Sequence, residues 1–154
     1  MYSSIAEVRD NDFEIVTLFH VMEHLVNPVE ELAAIRTKMA KGGKIVIEVP
    51  HARDFMISFL ENEPFKQFTF WSEHLILHTR ESLRIFLETA GFRNITIQGF
   101  QRYPLANHLH WLVRGQPSGH EIWRELRTPM LDQAYAGMLD GIDRTDTLIA
   151  IAEN

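Results

Sequence analysis

The chain has 154 residues, of which 45% are hydrophobic and 23% charged, and its formal net charge at pH 7 is −6. This composition is typical of one ordinary globular domain, and the acidic balance offers nothing that would attract a nucleic-acid backbone. The absence of cysteine excludes disulfides and thiol chemistry, and no apolar run approaches the roughly 18 residues of a membrane span. We expect a cytoplasmic domain that binds neither nucleic acid nor membrane.

The first predicted element is an apolar strand at residues 14–19, within the stretch FEIVTLFHVMEHL, residues 13–25. Its almost unbroken apolar run is typical of a strand buried in a parallel sheet. The strand leads directly into a turn that carries His20, Glu23 and His24. Ligands of open α/β sheets lie just beyond the carboxyl ends of the strands, so this turn is where we expect a binding site.

A helix and a second strand follow. Asn27 precedes a proline and indicates a helix start, with Glu30 placed to complete a capping box. Apolar residues at helical spacing extend the helix to about Ala40, and Gly42 offers a left-handed exit. The segment KIVIEV, residues 44–49, is β-branched and predicts a strand. Strand, helix and strand together predict a βαβ unit with a right-handed crossover.

The middle of the chain has weaker patterns. Residues 55–60 fit a short helix that is broken by the Asn-Glu-Pro sequence after it. Thr79 is a candidate N-cap for a longer amphipathic helix, which Gly91 ends. Residues 95–100 alternate apolar and polar side chains and predict a third strand.

The last third of the chain is predicted to begin irregularly. Residues 101–119 are rich in polar and turn residues and indicate a loop with a helical turn. Ser118 then opens a capping-box pattern for a helix that Pro129 bends or divides. TLIAIA, residues 147–152, predicts the last strand. Strands that alternate with helices indicate the α/β class.

Three segments carry a family resemblance: FEIVTLFHVMEHLVNPVEEL, KGGKIVIEVP and FWSEHLILHTRESLRIFLETAGF. In order and spacing they resemble the C-terminal half of class I S-adenosylmethionine-dependent methyltransferases, in particular the small-molecule and sugar methyltransferase-like branch. The resemblance implies a Rossmann-like fold with a truncated three-layer α/β/α sheet, mainly parallel strands and an antiparallel end, and S-adenosylmethionine as cofactor. The family's glycine-rich donor loop and the strands around it have no counterpart here, since no GxGxG occurs in the sequence.

The resemblance also implies cofactor contacts at the end of the first strand. Phe19, His20 and His24 are the expected cofactor-binding residues, on the sulfonium side of the donor. The alternative is that His20 only caps the strand end. His20 and His24 also have the spacing of metal ligands, with Glu23 between them. A metal site also needs a third ligand and a fixed second shell, and the HExxH order is absent, so we expect no metal site.

For the acceptor side, Glu73 and His74 are the expected catalytic residues. A histidine oriented by a glutamate suits a general base near neutral pH, and a similar Glu-His pair occurs in the active site of sugar C-methyltransferases. Trp71 stands where those enzymes tend to carry a tyrosine. The alternative is that the pair only ties its segment to the sheet by hydrogen bonds. The residues expected to bind the acceptor are Trp71, His78, Tyr103 and His108.

These observations lead to two functional hypotheses for a partial methyltransferase domain at residues 1–154. The first is a truncated or partial S-adenosylmethionine-dependent methyltransferase for a small-molecule acceptor. The second is a non-catalytic interaction module. In both, strand residues 14–19 would lie at an exposed sheet edge. We expect a homodimer, a complementary chain or the first dozen residues to cover it. A metal-dependent hydrolase that uses the histidines is a third reading, which metal analysis would test.

Overall fold

The computed structural model describes residues 5–70 and 74–154. The chain divides into two compact units. Unit 1 comprises Met1–Val49, His78–Gln98 and Leu148–Asn154, and unit 2 comprises Pro50–Leu77 and Gly99–Thr147. Unit 1 holds nearly all of the β-sheet, whereas unit 2 is made of the two chain segments that follow the second and third strands.

One sheet contains the four strands of the described chain: β1 (Phe13–Phe19), β2 (Met39–Pro50), β3 (Arg93–Phe100) and β4 (Thr147–Glu153). Their order across the sheet is β1-β2-β4-β3. β1 and β2 are parallel, and their register runs from Ile15 opposite Lys44 to Phe19 opposite Glu48. The predicted βαβ unit and all four predicted strands are therefore confirmed.

β4 runs antiparallel to β2. The Gly42 N–H, near the start of β2, donates to the carbonyl of Asn154, which follows β4. At the other end, the His51 N–H, just after β2, donates to the carbonyl of Asp146, which precedes β4. The end of one strand thus meets the start of the other. The α/β fold expected from the sequence, with parallel strands and an antiparallel strand beyond them, is confirmed.

Unit 1 has an apolar interior between the sheet and two helices, α1 (Pro28–Lys38) and α3 (Arg80–Thr89), which contact each other. The buried apolar side chains of this core are Met22, Leu32, Ile35, Met39, Ile45, Ile47, Val49, Leu83, Leu87, Ala90, Phe92, Leu148, Ala150 and Ala152. Each fully buried Leu, Ile or Val contributes about 1.5–3 kcal/mol by removal from water. This core holds the strand ends in place.

The boundaries of α1 differ from the prediction. The Asn27 side chain makes no capping hydrogen bond, and the helix ends at Lys38 because Met39 is already extended. Met39 pairs with Phe13 across the sheet, so strand pairing overrides the helical pattern there. Gly42, with φ of 78°, lies in the irregular start of β2 and does not end the helix.

The prediction for α3 is confirmed. Its N-cap, Thr79, accepts a hydrogen bond from the Ser82 N–H at 3.1 Å, and the Ser82 hydroxyl accepts one from the Thr79 N–H at 2.9 Å. This reciprocal pair satisfies two amides that the helix itself leaves without acceptors. Gly91 follows the helix with φ of 91°, a conformation that favours glycine.

Unit 2 is helical among its described residues. Its elements are a single π-turn (Phe55–Phe59), α2 (Glu63–Phe70), α4 (Leu105–Arg114), the short α5 (Gly119–Ile122), a 3₁₀ turn (Arg124–Leu126) and α6 (Pro129–Gly141). No helix among the residues described is long and apolar enough to span a membrane.

Two predictions for the last third of the chain are wrong. Residues 101–119 contain the ten-residue α4 where a loop was expected. The Ser118 side chain makes no cap, and the helix after it lasts one turn. Pro129 begins α6, so the predicted division of the helical segment at this proline is confirmed, and Thr128 before it caps the new helix by accepting a hydrogen bond from the Leu131 N–H. Proline at the first helical position loses no hydrogen bond.

β1 lies at the edge of the sheet. Its side chains Ile15 and Phe19 are 66% and 54% exposed. The described part of the N-terminal segment, residues 5–12, forms no strand, and its turn Ile5–Glu7 contacts α1. The expectation that this segment covers the edge is therefore wrong for residues 5–12, while cover by another chain stays a prediction.

Candidate functional site

The candidate site in unit 1 lies where β1 ends. His20 follows the strand with φ of 53°, a left-handed conformation that is uncommon for a residue with a side chain. Its N–H donates to the Glu48 carbonyl at 2.9 Å, so the residue still pairs with β2 while the chain turns. Strained backbone of this kind persists where surrounding contacts enforce it, and it is frequent at functional sites.

The His20 ring is held between two glutamates. Its Nδ1 lies 3.2 Å from Glu23 Oε1 and its Nε2 lies 3.1 Å from Glu48 Oε1. Both ring nitrogens of His20 therefore face a carboxyl oxygen, one on each side of the ring. We call these three residues the His20 clamp. The clamp contains two acidic side chains and one basic side chain.

Glu23 is the buried member of the clamp. Its side chain is fully buried, and its Oε2 accepts no hydrogen bond from any residue that the structure describes. His24 lies beside it, with Nε2 3.9 Å from Glu23 Oε1. Sequence reasoning treated Glu23 only as a spacer in a metal-like motif. Its burial depends on the turn geometry, which the sequence pattern does not reveal.

The cofactor implied by the resemblance was tested against these residues. The buried oxygen of Glu23 and the exposed Phe19 ring suit the cationic sulfonium end of S-adenosylmethionine, because a carboxylate and an aromatic face both attract a methylated cation. The glycine-rich loop that would hold the remainder is absent from the sequence. The residues present therefore fit one end of the cofactor.

Unit 2 contains a second group of buried titratable residues, centred on His108 and Tyr135. The buried His108 and Tyr135 form a short hydrogen bond, with 2.7 Å between Nδ1 and Oη. The His108 ring also stacks on Phe55 at 6.2 Å between centroids. Burial lowers the pKa of His108 to about 4, which keeps the imidazole neutral. Burial, reinforced by two nearby aspartates, raises the pKa of the Tyr135 hydroxyl.

Those aspartates are Asp54 and Asp146. Burial, and to a lesser extent repulsion from Asp146, raises the pKa of Asp54 to about 7. The Asp54 carboxylate also accepts hydrogen bonds from the Met56 and Ile57 N–H groups, and these bonds lower its pKa in part. Burial also raises the pKa of Asp146. Neighbouring acids that are buried and perturbed in this way are frequent at functional sites, although structural networks produce such shifts too.

The structure places the expected acceptor residues in different environments. Trp71 and Glu73 lie outside the described residues, and His74 is a half-buried residue of unit 2. Tyr103 is partly exposed, its ring 5.3 Å from that of His120, and its N–H donates to Asp146 at 2.9 Å. Tyr103 and His108 therefore both lie in unit 2, where Tyr103 bonds to Asp146 through its backbone and His108 bonds to Tyr135.

His78 is different, because it lies in unit 1 just before α3. It is fully buried, it packs edge-on against Phe86 with 5.4 Å between centroids, and neither ring nitrogen hydrogen-bonds to a described residue. Burial lowers its pKa to about 4. Its role in acceptor binding stays a prediction.

Sequence reasoning missed Asp54, Tyr135 and Asp146. A usable signal existed for two of them, because Asp54 follows β2 by four residues and Asp146 directly precedes β4. Acids beside strand ends are candidates for a site in an α/β fold. Tyr135 offered no such signal, since it lies within a helix.

Comparison with known proteins gave consistent results. A family profile described as a methyltransferase domain matches residues 1–97. The structure of an S-adenosylmethionine-dependent methyltransferase from Archaeoglobus fulgidus is similar with a TM-score of 0.60 at 19% identity, covering 97% of this chain and 63% of that one. A methyltransferase from Thermotoga maritima gives 0.63 at 11%, covering 99% and 62%. No curated protein has a significantly similar sequence.

A third similar structure is a complex between the Haloferax volcanii Trm112 methyltransferase activator and a methyltransferase, with a TM-score of 0.58 at 13% identity, covering 99% of this chain and 59% of that one. The chain thus spans about 60% of the length of these proteins. Identities this low establish a shared fold, and a fold alone does not fix the substrate.

Proposed function

We propose, because this chain belongs to the methyltransferase-domain family, that it forms the acceptor side of an S-adenosylmethionine-dependent methyltransferase for a small molecule. The observation that carries the proposal is the strand order β1-β2-β4-β3, with antiparallel β4, in a chain whose residues 1–97 match the family. S-adenosylmethionine, when bound, supplies the methyl group that is transferred in line to the acceptor. The cytoplasmic location of this chain stays a prediction.

On the acceptor side, Glu73 and His74 form the catalytic pair. His74 takes the proton that a hydroxyl, amine or carbon acid releases, and Glu73 orients its ring. Positioning supplies most of the acceleration in such a displacement. The acceptor is bound by Trp71, His78, Tyr103 and His108. Support comes from unit 2, whose buried His108–Tyr135 pair and nearby acids offer polar groups for orienting a small molecule.

On the donor side, this chain contributes Phe19, His20 and His24, and the rest of the donor site comes from another copy or a complementary chain. That chain pairs with the open edge of β1 at residues 14–19. The exposure of Ile15 and Phe19 supports this arrangement, because unpaired apolar edges are templates for strand addition. The Haloferax volcanii methyltransferase noted above is itself in a complex with an activator.

A second candidate function is a non-catalytic methyltransferase-like interaction module that associates through the same edge. The lack of a GxGxG sequence favours it. The two functions differ in what the acceptor residues do: an enzyme needs His74 for turnover, whereas a module needs only the β1 edge for association.

The test is transfer of a radiolabelled methyl group from S-adenosylmethionine to pooled small molecules that carry hydroxyl, amine or acidic carbon groups. The His74→Ala variant should lose transfer while its circular dichroism stays native. The His120→Ala variant, which removes another partly exposed histidine of unit 2, should keep most of it. No transfer to any pool by a folded dimer would favour the interaction module.

A further inference from the structure

We propose that Glu23 receives a cationic organic group of a ligand, a sulfonium or an ammonium, at the carboxyl end of β1. This deepens the proposed function and rests on it, because it assigns to one side chain the recognition of the donor's positive end. The sequence comparison had pointed to Phe19, His20 and His24 for this role.

The first argument is the unsatisfied carboxylate. Glu23 is fully buried, one of its oxygens bonds to His20 at 3.2 Å, and the other accepts no hydrogen bond from the described residues. Leaving a buried charged oxygen without a donor is costly, and native structures pair such atoms with a protein group, water or a ligand. A bound cation satisfies this oxygen.

The second argument is charge. In the His20 clamp one imidazole ring lies between two acidic side chains, Glu23 and Glu48, at 3.2 and 3.1 Å. The clamp therefore holds more acidic than basic side chains at the strand end where α/β proteins bind ligands, and this balance favours a positive group.

The third argument selects the kind of cation. Phe19 is 54% exposed and Val21 is 38% exposed, and they flank His20 in the sequence. Aromatic and aliphatic surface beside a carboxylate suits a cation that carries methyl groups, since the ring attracts the charge and the methyl groups lose contact with water. The rings of His20 and His24, which lie 3.2 and 3.9 Å from Glu23 Oε1, are each 35% exposed, so a ligand that contacts these rings lies close to the Glu23 carboxylate.

The test uses the isotope-labelled 154-residue chain at pH 8 and small probes, observed by NMR. Trimethylsulfonium and methylammonium represent the two cationic groups, and tert-butanol is a neutral probe of similar size. At least one cation should shift the backbone signals of residues 19–24 in a saturable manner, and tert-butanol should not. The cation that binds more tightly shows which group of the donor lies at Glu23.

The decisive comparison is between two variants that remove the same charge. Glu23→Gln should weaken binding of the cation at least fivefold, whereas Glu81→Gln, at an exposed position of α3, should leave it within twofold. Three results would overturn the proposal: both variants weaken binding equally, Glu23→Gln leaves binding unchanged, or the wild-type chain shows no response to either cation. If Glu23→Gln does not fold, the ring nitrogen signals of wild-type His24 serve instead: they should move with the cation and not with tert-butanol, and the reverse result refutes the proposal.

The outcome is separable from that of the proposed function. A chain that binds the cation through Glu23 but transfers no methyl group would refute the enzyme and keep this inference. If the Glu23→Gln variant transfers methyl groups as well as the wild type, the enzyme is supported and this inference is refuted.

Discussion

The two units differ most in what they bury. Unit 1 has a continuous apolar core, and its buried polar side chains among the described residues are Glu23 and His78. Unit 2 buries a largely polar set: His51, Asp54, Asn107, His108, His110, Thr145 and Thr147. An apolar core stabilises a frame, whereas buried polar groups cost stability unless they are hydrogen-bonded. Unit 1 therefore has the composition of a rigid frame that carries the His20 clamp at one strand end, whereas the polar groups of unit 2 lie in its interior.

The largest expected effect is in the core of unit 1. Leu148→Ala, at a fully buried position of β4, should lower the free energy of unfolding by about 2–5 kcal/mol, because the cavity adds to the lost transfer free energy. Ile151→Ala, 42% exposed on the same strand, is the matched control and should cost about 1 kcal/mol or less. Urea unfolding followed by circular dichroism measures both, and equal losses would contradict an apolar frame in unit 1.

A pH-dependent effect is expected in unit 2. The pKa of Asp54 is raised to about 7 in the folded chain, from 3.8, so the folded state holds its proton more tightly. Stability therefore falls as pH rises from about 4 to about 7. Asp54→Asn keeps an oxygen for the Met56 and Ile57 N–H groups and should raise the free energy of unfolding at pH 8 by roughly 1–3 kcal/mol. Asp10→Asn, which is exposed, should change nothing.

Melting temperatures of both variants at pH 5 and pH 8 test this prediction. The gain in Asp54→Asn should be larger at pH 8 than at pH 5. An equal gain at both pH values would mean that the buried charge is not its cause.

A smaller effect is expected at the His108–Tyr135 pair. Tyr135→Phe removes the hydroxyl that bonds to His108 at 2.7 Å and leaves Nδ1 without that contact. The free energy of unfolding should fall by about 1–2 kcal/mol. Tyr103→Phe, at a partly exposed ring, is the control and should cost less. Unchanged stability of Tyr135→Phe in chemical denaturation would show that the pair is not a structural bond.

The smallest effect at neutral pH is expected at His78, one of the two buried polar side chains among the described residues of unit 1. His78→Phe removes two ring nitrogens that lack hydrogen bonds to the described residues, so stability at pH 8 should change by about 1 kcal/mol or less. The wild-type pKa falls from 6.5 to about 4 on folding, so His78 makes the chain more stable as pH rises from about 4 to 6.5. The variant should show a weaker rise over that range, and an unaltered pH profile would contradict the buried neutral state.

The sequence predicted the parts of the fold that depend on local patterns. β1 and β2 have apolar runs, and Thr79 and Ser82 cap α3 from three residues apart, so neither requires knowledge of distant contacts. α4 was missed because its buried side includes Asn107, His108 and His110, which disrupt the apolar periodicity of a helix. The end of α1 was missed because Met39 pairs with a distant residue of β1.

The same distinction applies to the site. His20 and His24 were identified from the strand end that precedes them. The clamp itself depends on Glu48, which lies in the next strand and meets His20 only in the sheet. The link between His108 and Tyr135 joins residues 27 positions apart on different helices. Contacts of this kind are made by tertiary packing and have no signal in one sequence.

The most direct test of the central claim is calorimetric titration of the purified 154-residue chain with S-adenosylhomocysteine, with the oligomeric mass determined in the same buffer. The account predicts no micromolar binding by a monomer, because the described donor contacts are confined to the end of β1. It predicts binding only when the measured mass is that of a dimer or of a complex with a complementary chain. Micromolar binding by a monomer would contradict the account.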